Sequence, residues 1–164
     1  MRGSSRIVTF TLVVLGVLGA GAPTVHALGL SVTPASVGGL APGRTSASPA
    51  VPVVVTGLPS EAWSLHVDDM AGGATAGRML RSAMCTLGVS VLAQRLHLAT
   101  TETQPTTTVD RPSYDLASEA NPVLAHGTTP DTLQIVFSQS VLPTEPIARG
   151  CGYSLTVRYT LVPG

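Results

Sequence analysis

The side chains of this chain able to do chemistry beyond packing are few: two cysteines, four histidines and nine carboxylates. Cys85 and Cys151 allow one intramolecular pairing, which an exported compartment would permit. Compartment and parity favour that disulfide over free thiols or an intermolecular bridge. A metal or redox role is poorly supported, because the chain has no CxxC and no clustered Cys/His ligands. His66 and His97 each follow a leucine in an alternating run, which places both on outward strand faces. They could share a metal if their strands paired, although solvated histidines are the simpler reading. Asp68-Asp69 could contribute to a calcium site, but the pair more simply ends a strand and opens a turn. Asp115 and Glu119 have the residue types of a glycosidase pair, yet nothing near them suggests a sugar-stacking cleft. No GxSxG, HExxH, P-loop or strand–helix GxGxxG occurs. All nine cations are arginines, so no Schiff-base lysine exists. Spacing alone assembles no nucleophile–base–orienter set, so the expectation is a protein that is not an enzyme, with no cofactor and no metal.

The elements that must position these residues are written in period two. Cys151, Tyr153, Leu155, Val157, Tyr159 and Leu161 alternate with Gly152, Ser154, Thr156, Arg158 and Thr160. That pattern predicts one long strand with a buried and a wet face, with the Cys151 thiol pointing inward. Leu133, Ile135 and Phe137 alternate in the same way, as do Val51, Val53 and Val55. Trp63, Leu65 and Val67 follow after the turn-prone Gly57-Leu58-Pro59-Ser60. Leu28, Leu30 and Val32 suggest a first strand, and Leu96 with Leu98 another. The segments 34–48, 71–77, 100–108 and 126–131 read as Gly/Pro/Ser/Thr connections, the Thr-rich 100–108 as a mobile surface loop. The segment 78–92 has mixed periodicity and is left open between strand and helical turn.

Residues 1–27 read as an address. Arg2 and Arg6 form a positive start, an apolar run spans 7–18, and Val25-His26-Ala27 fits a signal-peptidase site. The apolar run is short against the roughly 20 residues that cross a bilayer, so cleavage after Ala27 is favoured over a retained anchor. Residues 28–164 then form a single domain. The motif-like Leu142-Pro143-Thr144-Glu145 lacks the glycine and the setting of a sortase signal. Nine basic against nine acidic residues, with 11% charged overall, argue against a nucleic-acid partner. Seventeen glycines and thirteen prolines favour turns and strands over long helices.

The run from Val51 through Trp63-Ser64-Leu65 resembles the first Trp-x-Leu motif of the WxL-domain surface proteins of Gram-positive bacteria. The run Gly152 to Pro163 is similar to that family's second motif. Tyr153 and Leu161 match it, while Tyr159 stands where the family has its second tryptophan. Leu92 to Leu98 also resembles the strand between the motifs. The resemblance marks a divergent relative, with a cysteine pair added. It implies a secreted protein attached non-covalently to the cell wall, with peptidoglycan, another wall polymer or other surface proteins as partners and no membrane once the signal is cut.

Trp63 admits two readings. Alternating with Leu65 and Val67, it suits a core anchor near a disulfide, as in immunoglobulin domains. It could instead be an exposed residue that stacks on a ligand, and the same choice applies to Tyr159. We therefore expect an all-β fold, an immunoglobulin-like β-sandwich of roughly 7–9 antiparallel strands. The function expected first is non-catalytic attachment at the cell wall. The alternative is a pilin-like or coat-like subunit assembling by β-strand exchange, in which residues 28–32 would swap.

Overall fold

A computed structural model describes residues 28–70, 72–148 and 150–164; the expected signal peptide lies outside them. The described chain is all-β, with a single turn of 3-10 helix at Gly73–Thr75. In chain order the strands are β1 Gly29–Val32, β2 Thr45–Ala47, β3 Val51–Thr56, β4 Ala62–Asp69, β5 Arg78–Arg81, β6 Val91–Arg95 and β7 His97–Glu102. They continue as β8 Thr108–Val109, β9 Ser113–Asp115, β10 Val123–Thr128, β11 Asp131–Ser140, β12 Tyr153–Ser154 and β13 Val157–Pro163. All pairings are antiparallel. One sheet runs β1-β3-β11-β7-β9 with β2 also on β11, a second runs β13-β4-β10-β8, and a third is β12-β5-β6. Buried residues of all three sheets join in one hydrophobic cluster.

Alternation sets the two long ladders. Along β11 every odd-numbered residue from Asp131 to Gln139 is buried and every even one half-buried, the period of a pleated strand. Its neighbours β3 and β7 register on it through Leu133↔Val53 and Phe137↔Leu98. In the second sheet β4 and β10 are the inner strands, and β4 carries the longest ladder. It pairs with β13 over seven residues, from Val157↔Asp69 to Pro163↔Trp63. Pro52, which has no N–H to give, sits in β3 beyond the last residue reached by β1, whose ladder ends opposite Val53.

Five expectations are corrected. The C-terminal alternation does not make one strand: β12 belongs to the third sheet and β13 to the second, with Leu155 and Thr156 between them. Tyr153, Leu155, Val157 and Tyr159 all remain buried, because a chain crossing between sheets can keep its inward phase while changing partner. Cys151 precedes both strands and is half-exposed rather than inward. The Thr-rich segment is not simply a surface loop. β7 runs on to Glu102, Thr100 and Thr107 are buried, and the Thr107 hydroxyl bonds the Asp131 carboxylate. Residues 126–131 are mostly strand, with only the Thr129-Pro130 turn, joined by a cis bond, between β10 and β11. The open segment 78–92 resolves as β5, a loop, and the start of β6. The thirteen described strands exceed the expected count because β2, β8, β9 and β12 have only two or three residues, too few for alternation to register.

Buried polar groups hold the connections. Glu145, 6% exposed, accepts Ala93 N–H at 2.6 Å and Leu142 N–H at 2.7 Å through its two carboxylate oxygens. The segment that resembled a sortase signal is therefore a clamp between the 141–150 connection and β6. Asp69 similarly accepts Gly77 N–H at 2.6 Å, closing the 70–77 turn.

Candidate functional site

Four of the five motif residues come together on β4 and β13, and three of these four are buried. Trp63 is 1% exposed, Leu65 and Tyr159 are buried beside it in the second sheet, and Leu161 packs against the core. Cross-strand register sets Tyr159 opposite Val67 and Leu161 opposite Leu65. Trp63 faces Gly127 of β10, where a Cβ would stand only 3.0 Å from the indole Cζ2. The glycine thus makes room for the ring. Tyr153 lies apart, in the third sheet, where its hydroxyl donates to Val89 O at 2.8 Å. The indole N–H of Trp63 and the hydroxyl of Tyr159 are buried without a hydrogen-bond partner among the described residues. Burial holds the Tyr159 phenol neutral far above its ordinary titration range. Burial also raises Tyr153, with Arg81 opposing and Glu145 adding to the rise. A ligand cannot stack on rings in this position without opening the sheets.

The cysteines form a disulfide across 66 residues, with Cα atoms 5.6 Å apart. It pins the loop 82–90 between β5 and β6, which is tied down from several other sides. Arg81 Nη1 donates to Gly88 O at 2.6 Å, Val89 N–H donates to Pro146 O at 3.1 Å, and Ser82 N–H donates to Gly152 O at 2.9 Å. From this anchored loop Met84, 95% exposed, and Leu87, 72% exposed, project into solvent. The flanking strands contribute Arg78, Arg81 and Arg95, and no Asp or Glu occurs between Asp69 and Glu102.

The three described histidines all have partners, and none of these is another histidine. His66 lies in the second sheet and His97 in the first, so the strands that would have joined them do not pair. His66 Nδ1 is 3.0 Å from Asn121 O, and His126 Nδ1 is 2.8 Å from Asp110 Oδ2. Asp68-Asp69 ends β4 and opens a turn, the simpler of its two readings, with Asp68 paired to Arg158 at 2.9 Å, while Glu119 pairs with Arg111 and Asp115 with His97. No group of three or more His, Cys, Asp or Glu able to hold a metal occurs among the described residues.

His97 belongs to an arrangement that spacing did not reveal. Its Nδ1 lies 2.8 Å from Asp115 Oδ1 and its Nε2 lies 3.3 Å from Ser113 Oγ. The ionised carboxylate can only accept, so in the neutral ring Nδ1 carries the proton and Nε2 is left to accept from the serine. This is the order of a nucleophile, a base and an orienting carboxylate. It arises because β9 pairs with β7 in the register His97↔Asp115 and Ala99↔Ser113. The sequence signal is a Ser-x-Asp on a strand opposite a histidine, invisible until the pairing of a three-residue strand is known.

Among the described residues no helix is long and apolar enough to cross a membrane. Neither a family model, nor a curated protein, nor a solved structure matches this chain.

Proposed function

We propose that this chain is an exported cell-surface protein with an immunoglobulin-like β-sandwich, attached non-covalently to the wall through the disulfide-pinned loop 82–90. The observation that carries the reading is the exposure of Met84 and Leu87 on a loop fixed by Cys85–Cys151 and by backbone hydrogen bonds. Two large apolar side chains held in water have no folding benefit, whereas a pre-ordered pair can enter a partner with little further loss of entropy. Arg81, whose guanidinium holds Gly88 O at the foot of the loop, supplies a cation there and favours an anionic wall polymer. The buried Trp63 motif then specifies the fold and leaves binding to the loop. Strand exchange between copies is the weaker reading, since β1 is already paired with β3 along its length.

Sedimentation with isolated wall sacculi tests the proposal. The protein should pellet with sacculi, and Met84→Asp/Leu87→Asp should stay in the supernatant with an unchanged melting temperature. Pelleting that is indifferent to both substitutions would remove the loop from the interface. Polymers forming without sacculi would favour the assembling subunit.

A further inference from the structure

We propose that Ser113 is an acyl-accepting nucleophile, activated by His97 and oriented through Asp115, for small uncharged esters. The three side chains occupy the outer face of the first sheet at its β9 edge, so an ester can reach them from solvent without any rearrangement. The hydrogen bonds from Thr100 N–H to Pro112 O and from Leu116 N–H to Leu96 O fix the phase of the β7–β9 ladder. By alternation, His97↔Asp115 and Ala99↔Ser113 are non-hydrogen-bonded pairs, whose side chains approach most closely. The same phase turns the backbone N–H of Ser113 off the free edge of β9. There it can donate to the oxygen on which negative charge develops when Ser113 attacks.

The surroundings select the substrate class. Ser113, Ala99 and Val136 lie in one row across β9, β7 and β11, giving a small apolar floor beside the hydroxyl. Nearby Arg111 is engaged by Glu119 and lies 5.5 Å from the Tyr114 ring centroid, so its guanidinium is not free to take a charged acyl group.

In the first step the Ser113 Oγ–carbon bond forms as the hydroxyl proton passes to His97 Nε2. The ester carbon–oxygen bond then breaks, and the imidazolium gives its proton to the departing oxygen. Ser113 is left as its ester. Water, deprotonated by the same imidazole, attacks that ester, releases the carboxylic acid and restores the serine.

The test uses 4-nitrophenyl acetate on the purified exported protein, with nitrophenolate release followed by absorbance and the adduct located by peptide mass mapping. Acetylation should fall on Ser113 and be lost in Ser113→Ala. His97→Gln should slow it by about a hundredfold, within the range of a general base. Asp115→Asn should slow it about tenfold or more by releasing the ring from its tautomer. Both variants should keep the parent melting temperature, since all three groups lie at the surface. Free imidazole should restore acetylation of Ser113 in His97→Ala, a response that a purely structural histidine would not give. Ser113 acetylated no faster than exposed Ser118, or no faster in the native protein than in urea, would overturn the proposal. Acetyl retained on His97 without transfer to Ser113 would overturn it as well.

Discussion

Trp63 and Tyr159 show how one residue type can be both a fold determinant and a local cost. Each buries a large ring, and each leaves a polar atom without a partner among the described residues, a cost of about 1–3 kcal/mol per group. Trp63→Ala should lower stability by about 3–5 kcal/mol, read from urea unfolding, because the cavity cannot close between packed strands. Trp63→Phe removes the unpaired N–H along with part of the ring and should stay within about 1.5 kcal/mol of the parent. Gly127→Ala would bring a methyl to 3.0 Å from the indole, 2.8 Å from Asp131 Oδ2 and 2.9 Å from Thr106 O. Such overpacking should cost about 1–3 kcal/mol. Tyr159 adds a pH signature. Its folded-state pKa is raised, so the associated stability is complete below the ordinary tyrosine value of 10.0 and is lost as pH climbs beyond it. Melting temperatures of Tyr159→Phe should therefore match or exceed the parent near neutrality and fall less steeply above about pH 10.

At the scale of elements, the alternating runs at Val51–Val55, Trp63–Val67 and Leu133–Phe137 located β3, β4 and β11, because each buries one face for several residues. The same rule overreached at the C-terminus. Inward phase continues from Tyr153 to Tyr159, but phase carries no information about which sheet supplies the partner. It also missed β9, whose three residues bring Ser113 and Asp115 to His97, since no period can be read in so short a strand. A further hidden device is Gly77. The chain leaves β6 for β7 at Leu96, whose N–H donates to Gly77 O at 2.7 Å and whose carbonyl accepts Leu116 N–H at 2.9 Å. Gly77 has φ +72°, and a Cβ there would stand 2.0 Å from Leu116 O. Gly77→Ala should accordingly destabilise by more than the roughly 1 kcal/mol of an ordinary glycine exchange, in the range of about 2–4 kcal/mol, because both strain and backbone overlap must be relieved. Chemical denaturation checks the figure.

At the scale of the whole molecule, one cross-link joins two parts of the chain that the sheets already bring together. Cys85 follows β5, Cys151 precedes β12, and β5 pairs with β12 through Tyr153↔Arg81. The bond therefore reinforces the third sheet, which has the fewest strands and also holds the exposed loop. Closing 66 residues should restrict the unfolded chain by about 4 kcal/mol in the entropy model, with about 2–5 kcal/mol as the measured span for such bridges. Met84 and Leu87 connect that stability to binding, since their display depends on the loop being held. Reduction, or Cys85→Ala/Cys151→Ala, should shift urea unfolding by that amount. The two large sheets, whose long ladders β11 and β13 contain neither cysteine, should stay folded. Amide exchange should then quicken first in residues 78–95 and 145–154 while β3, β4 and β11 keep their protection. If reduction instead released all three sheets together, the disulfide would be holding the core rather than the loop. The loop's fixed geometry would then be a by-product of folding, and the case for a pre-ordered wall contact would lose its physical basis.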